Sequence, residues 1–142
     1  MQIRHATEND LSDLLELIRK GLGYEDAQED FVSANLSKLP PEREAVFVAD
    51  VDGVTAGFIH VEVYSNLYFG PVGNILGLAV KEEFRRQGFA SELLRAAENW
   101  SKEKGCIGMR LNSGGTRHGA HEFYRSQGYD NEKTQIRFLK MY

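Results

Sequence analysis

The run Arg85-Arg86-Gln87-Gly88-Phe89-Ala90-Ser91 carries the most chemistry in this chain. Two cations and a glycine stand just before Ala90, Leu93, Leu94, Ala97 and Trp100, whose spacing reads as an amphipathic helix. The first N–H groups of a helix lack intrahelical partners, and the helix dipole favours an anion beside them. Gly88 lets the backbone approach a bulky ligand, and Ala90 and Ser91 keep the first turn small. The chemistry is phosphate binding. Taken alone, the pattern also fits a solvated arginine pair beside a turn-closing glycine. There is no Gly-Lys-Ser/Thr, as a nucleotide-triphosphate loop needs, and only one glycine where a dinucleotide fingerprint needs several.

Other reactive side chains are sparse. Cys106 is the only cysteine, which excludes an internal disulfide and a thiolate cluster and fits a reducing compartment. It reads as a small core filler. His60 and His121 titrate in a useful range, though a lone histidine is usually structural. His118 and His121 are three apart, but the one carboxylate at matching spacing, Glu122, points elsewhere, so no metal is expected.

These residues need elements to position them. Gln2 to His5 suits an opening strand. Thr7 and Asp10 have capping-box spacing before a helix over about Asn9 to Arg19, closed by Gly21 and Gly23. The acidic stretch Glu25 to Asp30 starts a weaker helix with Phe31, Leu36 and Leu39 inward, stopped by Pro40-Pro41. Strands follow over Glu44 to Ala49 and Val54 to Tyr64, joined by the hairpin signal Asp52-Gly53. Asn74 to Val80 is nearly all apolar and reads as a strand buried on both faces. After the helix from Phe89 to near Gly105 come a strand over Ile107 to Leu111 and a helix over His118 to Gln127, with Gly128 as C-cap. Gln135 to Tyr142 reads as a final strand.

Bulk properties narrow the classes. A chain of 142 residues suits one domain, and a net charge of -4 weighs against nucleic-acid binding. No apolar signal region or membrane-length run is present, so a cytoplasmic protein without a membrane partner is expected.

The stretch from Ile75 to Leu94 resembles the central strand, Arg/Gln-x-x-Gly-x-Gly/Ala signature and following helix of the GNAT superfamily of N-acetyltransferases. His121-Glu122-Phe123-Tyr124-Arg125-Ser126-Gln127-Gly128-Tyr129 resembles its C-terminal Phe-Tyr segment, with His121 where a small residue often stands. The resemblance runs along essentially the whole chain. It implies one α/β (α+β) domain over residues 1–142, with a mixed, mostly antiparallel sheet of six to seven strands and about four helices. It implies acetyl-CoA as donor. The turn from Arg85 through Arg86, Gln87, Gly88, Phe89 and Ala90 to Ser91 would take the pyrophosphate. Leu78 and Val80 would pair with the pantetheine arm, an amide of Val80 or Ala79 would polarise the carbonyl, and Asn112 would help hold the cofactor.

Direct acyl transfer to an amine needs a neutral amine, a polarised carbonyl, a protonated leaving thiolate and close positioning. The absence of a G-x-S-x-G elbow is then no objection. The resemblance makes Tyr124 the acid toward the leaving sulfur. Many relatives carry a carboxylate near the positions of Asn74 and Leu76, but this chain has none between Gly70 and Val80. Glu62, acting directly or through water, is the alternative base. Tyr24, Glu25, Glu62 and Tyr64 are the candidate acceptor-binding residues, with Asp26 beside them, and carboxylates with aromatics suit a cationic amine. The expected partner is an amine-bearing small molecule, peptide or protein. A homodimer would fit a last strand apolar on both faces. An acyl-CoA-binding sensor with little turnover is the rival reading.

Overall fold

The computed structural model describes every residue, Met1–Tyr142, as two compact units, Met1–Leu111 and Asn112–Tyr142. The first holds a five-stranded sheet in the order β1-β2-β3-β4-β5. Its strands are β1 (Gln2–His5), β2 (Glu44–Val51), β3 (Val54–Tyr64), β4 (Val72–Val80) and β5 (Met109–Leu111). The first four pair antiparallel, and β5 runs parallel to β4 after a helical crossover. At the β2–β3 hairpin, Asp52 and Gly53 both take left-handed backbone (φ 50° and 86°), the twist that joins adjacent strands tightly.

Helices cover both faces. On one lie α1 (Leu11–Glu16) and α2 (Glu29–Ser37). Leu14, Leu17, Val46, Val48, Phe58 and Ala79 form the core beneath them, with Leu22, Leu36 and Leu39 packed against it. The opposite face carries α3 (Phe89–Glu103), which buries Leu93, Leu94, Ala97 and Trp100. Each fully buried leucine contributes about 1.5–3 kcal/mol.

The start of the 3-10 turn Glu8–Asp10, which leads into α1, is fixed by charge. Thr7 and Asp10 close a capping box, and Asp10 lies 2% exposed. Its carboxylate accepts from the Arg4 guanidinium (2.8 and 2.9 Å), the Thr7 N–H (2.8 Å) and the Thr55 hydroxyl (2.7 Å). Arg4 also donates to Asp50, so β1, β2, β3 and α1 meet at one ion cluster.

Several expectations change. The first helix is not continuous: a 3-10 turn at Glu8–Asp10 precedes α1, and a π turn at Leu17–Gly21 follows it. The wide turn brings Gly21 so close to the sheet that a Cβ there would stand 2.7 Å from the Ala79 Cβ. The second helix begins at Glu29, and Phe31 is 69% exposed rather than inward. β4 is not buried throughout, because Leu76 is 48% exposed. Ile107 lies outside β5 and is exposed.

In the second unit, α4 (His118–Ser126) ends in a Schellman turn. The Gly128 N–H donates to the Arg125 carbonyl (3.1 Å) and the Tyr129 N–H to the Tyr124 carbonyl (3.0 Å), with Gly128 at φ 91°. The expected strand over Gln135 to Tyr142 is absent. Residues 130–142 are exposed and join no ladder. A strand exists only where another strand satisfies its backbone, and none does so here. The sheet therefore has five strands rather than six to seven. No helix is long and apolar enough to cross a membrane.

Candidate active site

β4 has one closed edge and one partly open edge. It pairs with β3 along its length, from Gly57↔Val80 to Tyr64↔Val72. With β5 it pairs only at Gly73, Asn74 and Ile75, and beyond Ile75 no strand follows that edge. The Lys81 N–H donates to the Ala56 carbonyl on the β3 side (2.8 Å). By strand alternation, Leu78 and Val80 direct their backbone groups to the open edge. Ala79 instead sits in the core. The Arg85 Nε reaches the Val80 carbonyl at 3.3 Å.

The open edge leads into the turn. Arg86 (φ 62°) and Gly88 (φ 85°) are both left-handed, and such backbone gathers N–H groups into an anion-binding concavity. α3 has no side-chain cap, and its first intrahelical bond runs from the Glu92 N–H to the Gly88 carbonyl (3.1 Å). The N–H groups of Phe89, Ala90 and Ser91 thus have no intrahelical acceptor. Phe89 is buried and packs edge-on against Phe84 (6.0 Å between centroids), which anchors the turn while Arg85, Arg86, Gln87 and Gly88 stay exposed.

Lys81 moors this turn to α1. Its Nζ lies 2.5 Å from Asp13 Oδ1 and 3.2 Å from Glu16 Oε2. Burial works against the Lys81 charge, but the two carboxylates outweigh it and raise its pKa above the ordinary value. Nothing in the sequence signalled this link across 68 positions.

A polar row crosses the α1/α2 face of the sheet at the other end of the strands. The register sets Glu44 opposite Glu62, Glu62 opposite Asn74, and Asn74 opposite Arg110. Asn74 Nδ2 donates to Glu62 Oε2 (2.7 Å), and Arg110 Nη1 donates to Asn74 Oδ1 (2.8 Å). The Arg110 guanidinium lies 4.7 Å over the Tyr64 ring. His60 Nε2 meets Glu44 Oε1 at 2.8 Å. Glu62 and Tyr64, expected from sequence, therefore belong to one constellation, whereas Glu44, Asn74 and Arg110 were missed as members. Their only sequence signal is polarity at strand positions, which does not reveal who faces whom.

Tyr24 and Glu25 are exposed on the connection after the π turn. This connection starts where Leu22 packs on Gly77, and Arg19 pins its far end through the Ala27 carbonyl (3.0 and 2.8 Å). In the second unit Asn112 is exposed, next after β5. Tyr124 is half-buried on α4, its ring against Phe123 (5.3 Å) and Tyr129 (5.8 Å). Burial pushes its hydroxyl pKa up, opposed by the charge of Arg117. His118 and His121 face each other, but no group of three or more His, Cys, Asp or Glu stands ready to hold a metal.

Comparison with known proteins agrees with this geometry. The model of the acetyltransferase (GNAT) family matches residues 10–129. An uncharacterized N-acetyltransferase of Archaeoglobus fulgidus is 30% identical over 134 residues, covering 89% of this chain and 91% of the relative. The aminoalkylphosphonate N-acetyltransferase of Salmonella typhimurium is 27% identical, over 98% of this chain and 90% of its own. The solved aminoglycoside N-acetyltransferase AAC(6')-Iy in complex with CoA shares the fold, with a TM-score of 0.86 at 24% identity, over 98% of this chain and 93% of that one.

Proposed function

The chain belongs to the acetyltransferase (GNAT) family, and on that premise we propose that residues 1–142 act as one N-acetyltransferase domain moving an acetyl group from acetyl-CoA to a primary amine. The observation that carries this is the open edge of β4 running into an uncapped helix start with two left-handed residues before it. These residues fit the donor: a Cβ built on Gly88 meets no atom within 4 Å, so the backbone there is free to lie against a phosphate.

Acetyl-CoA supplies an activated thioester. The N–H groups of Phe89, Ala90 and Ser91 would donate to its pyrophosphate, with Arg86 and Gln87 beside them and Arg85 linking the turn to Val80. Leu78 and Val80 pair with the pantetheine arm as a neighbouring strand would, and the Val80 N–H polarises the carbonyl. Asn112 adds a polar contact. Glu62 removes a proton from the acceptor ammonium. Tyr124 donates a proton toward the departing sulfur, a role supported by a hydroxyl that burial keeps protonated at neutral pH. Tyr24, Glu25 and Tyr64 frame the amine. Relatives named for aminoglycosides and aminoalkylphosphonates support a small acceptor that bears an amine. We assign the reaction to the cytoplasm, which suits the unpaired Cys106. A second copy of the chain is the partner that would cover Ile136, Phe138, Leu139 and Met141, each at least 68% exposed.

The test is thiol release from acetyl-CoA across a panel containing an aminoglycoside and an aminoalkylphosphonate. Turnover with an amine, lowered about 100-fold in Tyr124→Phe, is expected. Tight CoA binding without thiol release across the panel would instead favour the sensor.

A further inference from the structure

The polar row contains an amide whose two ends are both assigned by their neighbours. Arginine only donates hydrogen bonds, so the atom of Asn74 that meets Arg110 Nη1 is the carbonyl Oδ1. The Nδ2 end then faces Glu62 Oε2, 2.7 Å away. The carboxyl oxygen accepts that bond from the amide N–H. Asn74 is 9% exposed, so water competes little for either end. The Arg110 guanidinium is itself braced over Tyr64. The chain Arg110–Asn74–Glu62 thus has a single direction, set from β5 across β4 to β3.

We propose that Asn74 and Arg110 are positioning residues for Glu62. Arg110 fixes the orientation of the Asn74 amide, and Asn74 holds the Glu62 carboxylate in one rotamer, with Oε1 turned to the acceptor. This inference rests on the reading of Glu62 as base. In the step it serves, an N–H bond of the acceptor ammonium breaks, and its electron pair stays on nitrogen. The proton passes to Glu62 Oε1 and later to water. The amide of Asn74 takes no proton and cannot relay it. The other groups facing Glu62 are Glu44 from β2, and His60 and Tyr64 from its own strand. The Arg110 charge offsets one of the two carboxylates in the row.

The experiment measures kcat, KM for the amine and the pH profile of kcat/KM, with acetyl-CoA and kanamycin or aminomethylphosphonate, whichever is turned over. Arg110→Met should lower kcat about tenfold, with KM and CoA affinity within about twofold. Arg110→Gln, which keeps a donor for Oδ1, should recover most of the rate. Asn74→Asp sets two carboxylates face to face, so the acid limb should move up by about one pH unit or more. Thermal melts confirm folding, and the near-isosteric Asn74→Asp keeps the test open if Arg110→Met does not fold. Arg110→Met with wild-type kcat, or Asn74→Asp with an unmoved acid limb, would overturn the positioning role. Full activity in Glu62→Gln would remove the base itself, an outcome distinct from either.

Discussion

Gly88→Asn separates the cofactor role of the turn from its stability. Gly88 holds φ 85°, a region that asparagine tolerates better than other non-glycine residues. The added Cβ enters open space, with no atom within 4 Å. Folding should therefore lose less than about 1 kcal/mol, a Tm shift of at most about 4 °C for a chain of this size. Binding is another matter, because the side chain projects where the phosphates would lie against the backbone. A charge-assisted hydrogen bond contributes about 1.5–3 kcal/mol. Losing one should raise the Kd for CoA about ten- to hundredfold. Calorimetric titration of CoA reads this directly, and pantetheine serves as a control because it lacks the pyrophosphate. Its weaker binding should not change. Wild-type CoA affinity in a folded Gly88→Asn protein would refute the assignment of the turn.

Other consequences follow from the same structure. Hydrogen bonds from Arg4, Thr55 and Thr7 overcome the effect of burial and lower the Asp10 pKa from 3.8 to about 2. A depressed carboxylate pKa stabilises the fold above the unfolded value, so about 2 kcal/mol should be lost as pH falls from about 4 to about 2. Urea melts of Asp10→Asn should lack that acid loss, and an unchanged pH dependence would contradict the ion cluster. Lys81→Met removes the mooring between β4 and α1 and should cost about 1 kcal/mol while weakening CoA binding; equal melting and equal affinity would show that the contact does neither. Ending the chain at Lys133 should leave the monomer's melting point unchanged but abolish any dimer seen by light scattering, whereas a wild-type monomer at all concentrations would dismiss the second copy.

Local chemistry was legible in the sequence and register was not. The Asp52-Gly53 hairpin, the helix from Phe89 and the Gly128 cap each depend on a few adjacent residues, and each formed as read. The turn from Arg85 to Ser91 was legible for the same reason, although the left-handed Arg86 was not, since arginine carries no preference for that backbone. The π turn after α1 continues its apolar stripe and the 3-10 turn before it holds only polar capping residues, so periodicity resolves neither. The segment Gln135 to Tyr142 has strand-like composition, but composition does not supply a partner edge. The ties of Lys81 to Asp13 and of Asn74 to Arg110 join residues 68 and 36 positions apart and exist only once the elements are assembled.

A single residue explains why the polar row was hidden. Phe58, His60 and Glu62 share one face of β3, and they oppose Ala79, Gly77 and Asn74. Those partners step by two and then by three, because the register shifts between His60 and Val61 and Leu76 is left without an opposite number. A side chain flips face with every one-residue shift. In an unbroken β4, Ala79 and Asn74 would point to opposite faces, and a reading by alternation makes that error. The bulge sets both on the α1/α2 face, so Ala79 enters the core at one end while Asn74 meets Glu62 at the other. Pairing with β5 also stops at Ile75, one residue before Leu76, and there the edge opens toward Leu78 and Val80. The extra residue thus links two features of the proposed chemistry: the carboxylate that would reach the acceptor from β3, and the strand edge, unfollowed by β5, that would receive the donor. Were Leu76 instead drawn into an unbroken ladder, Asn74 would turn to the α3 face and lose its link to Glu62, whereas deleting Leu76 would keep Asn74 opposite Glu62.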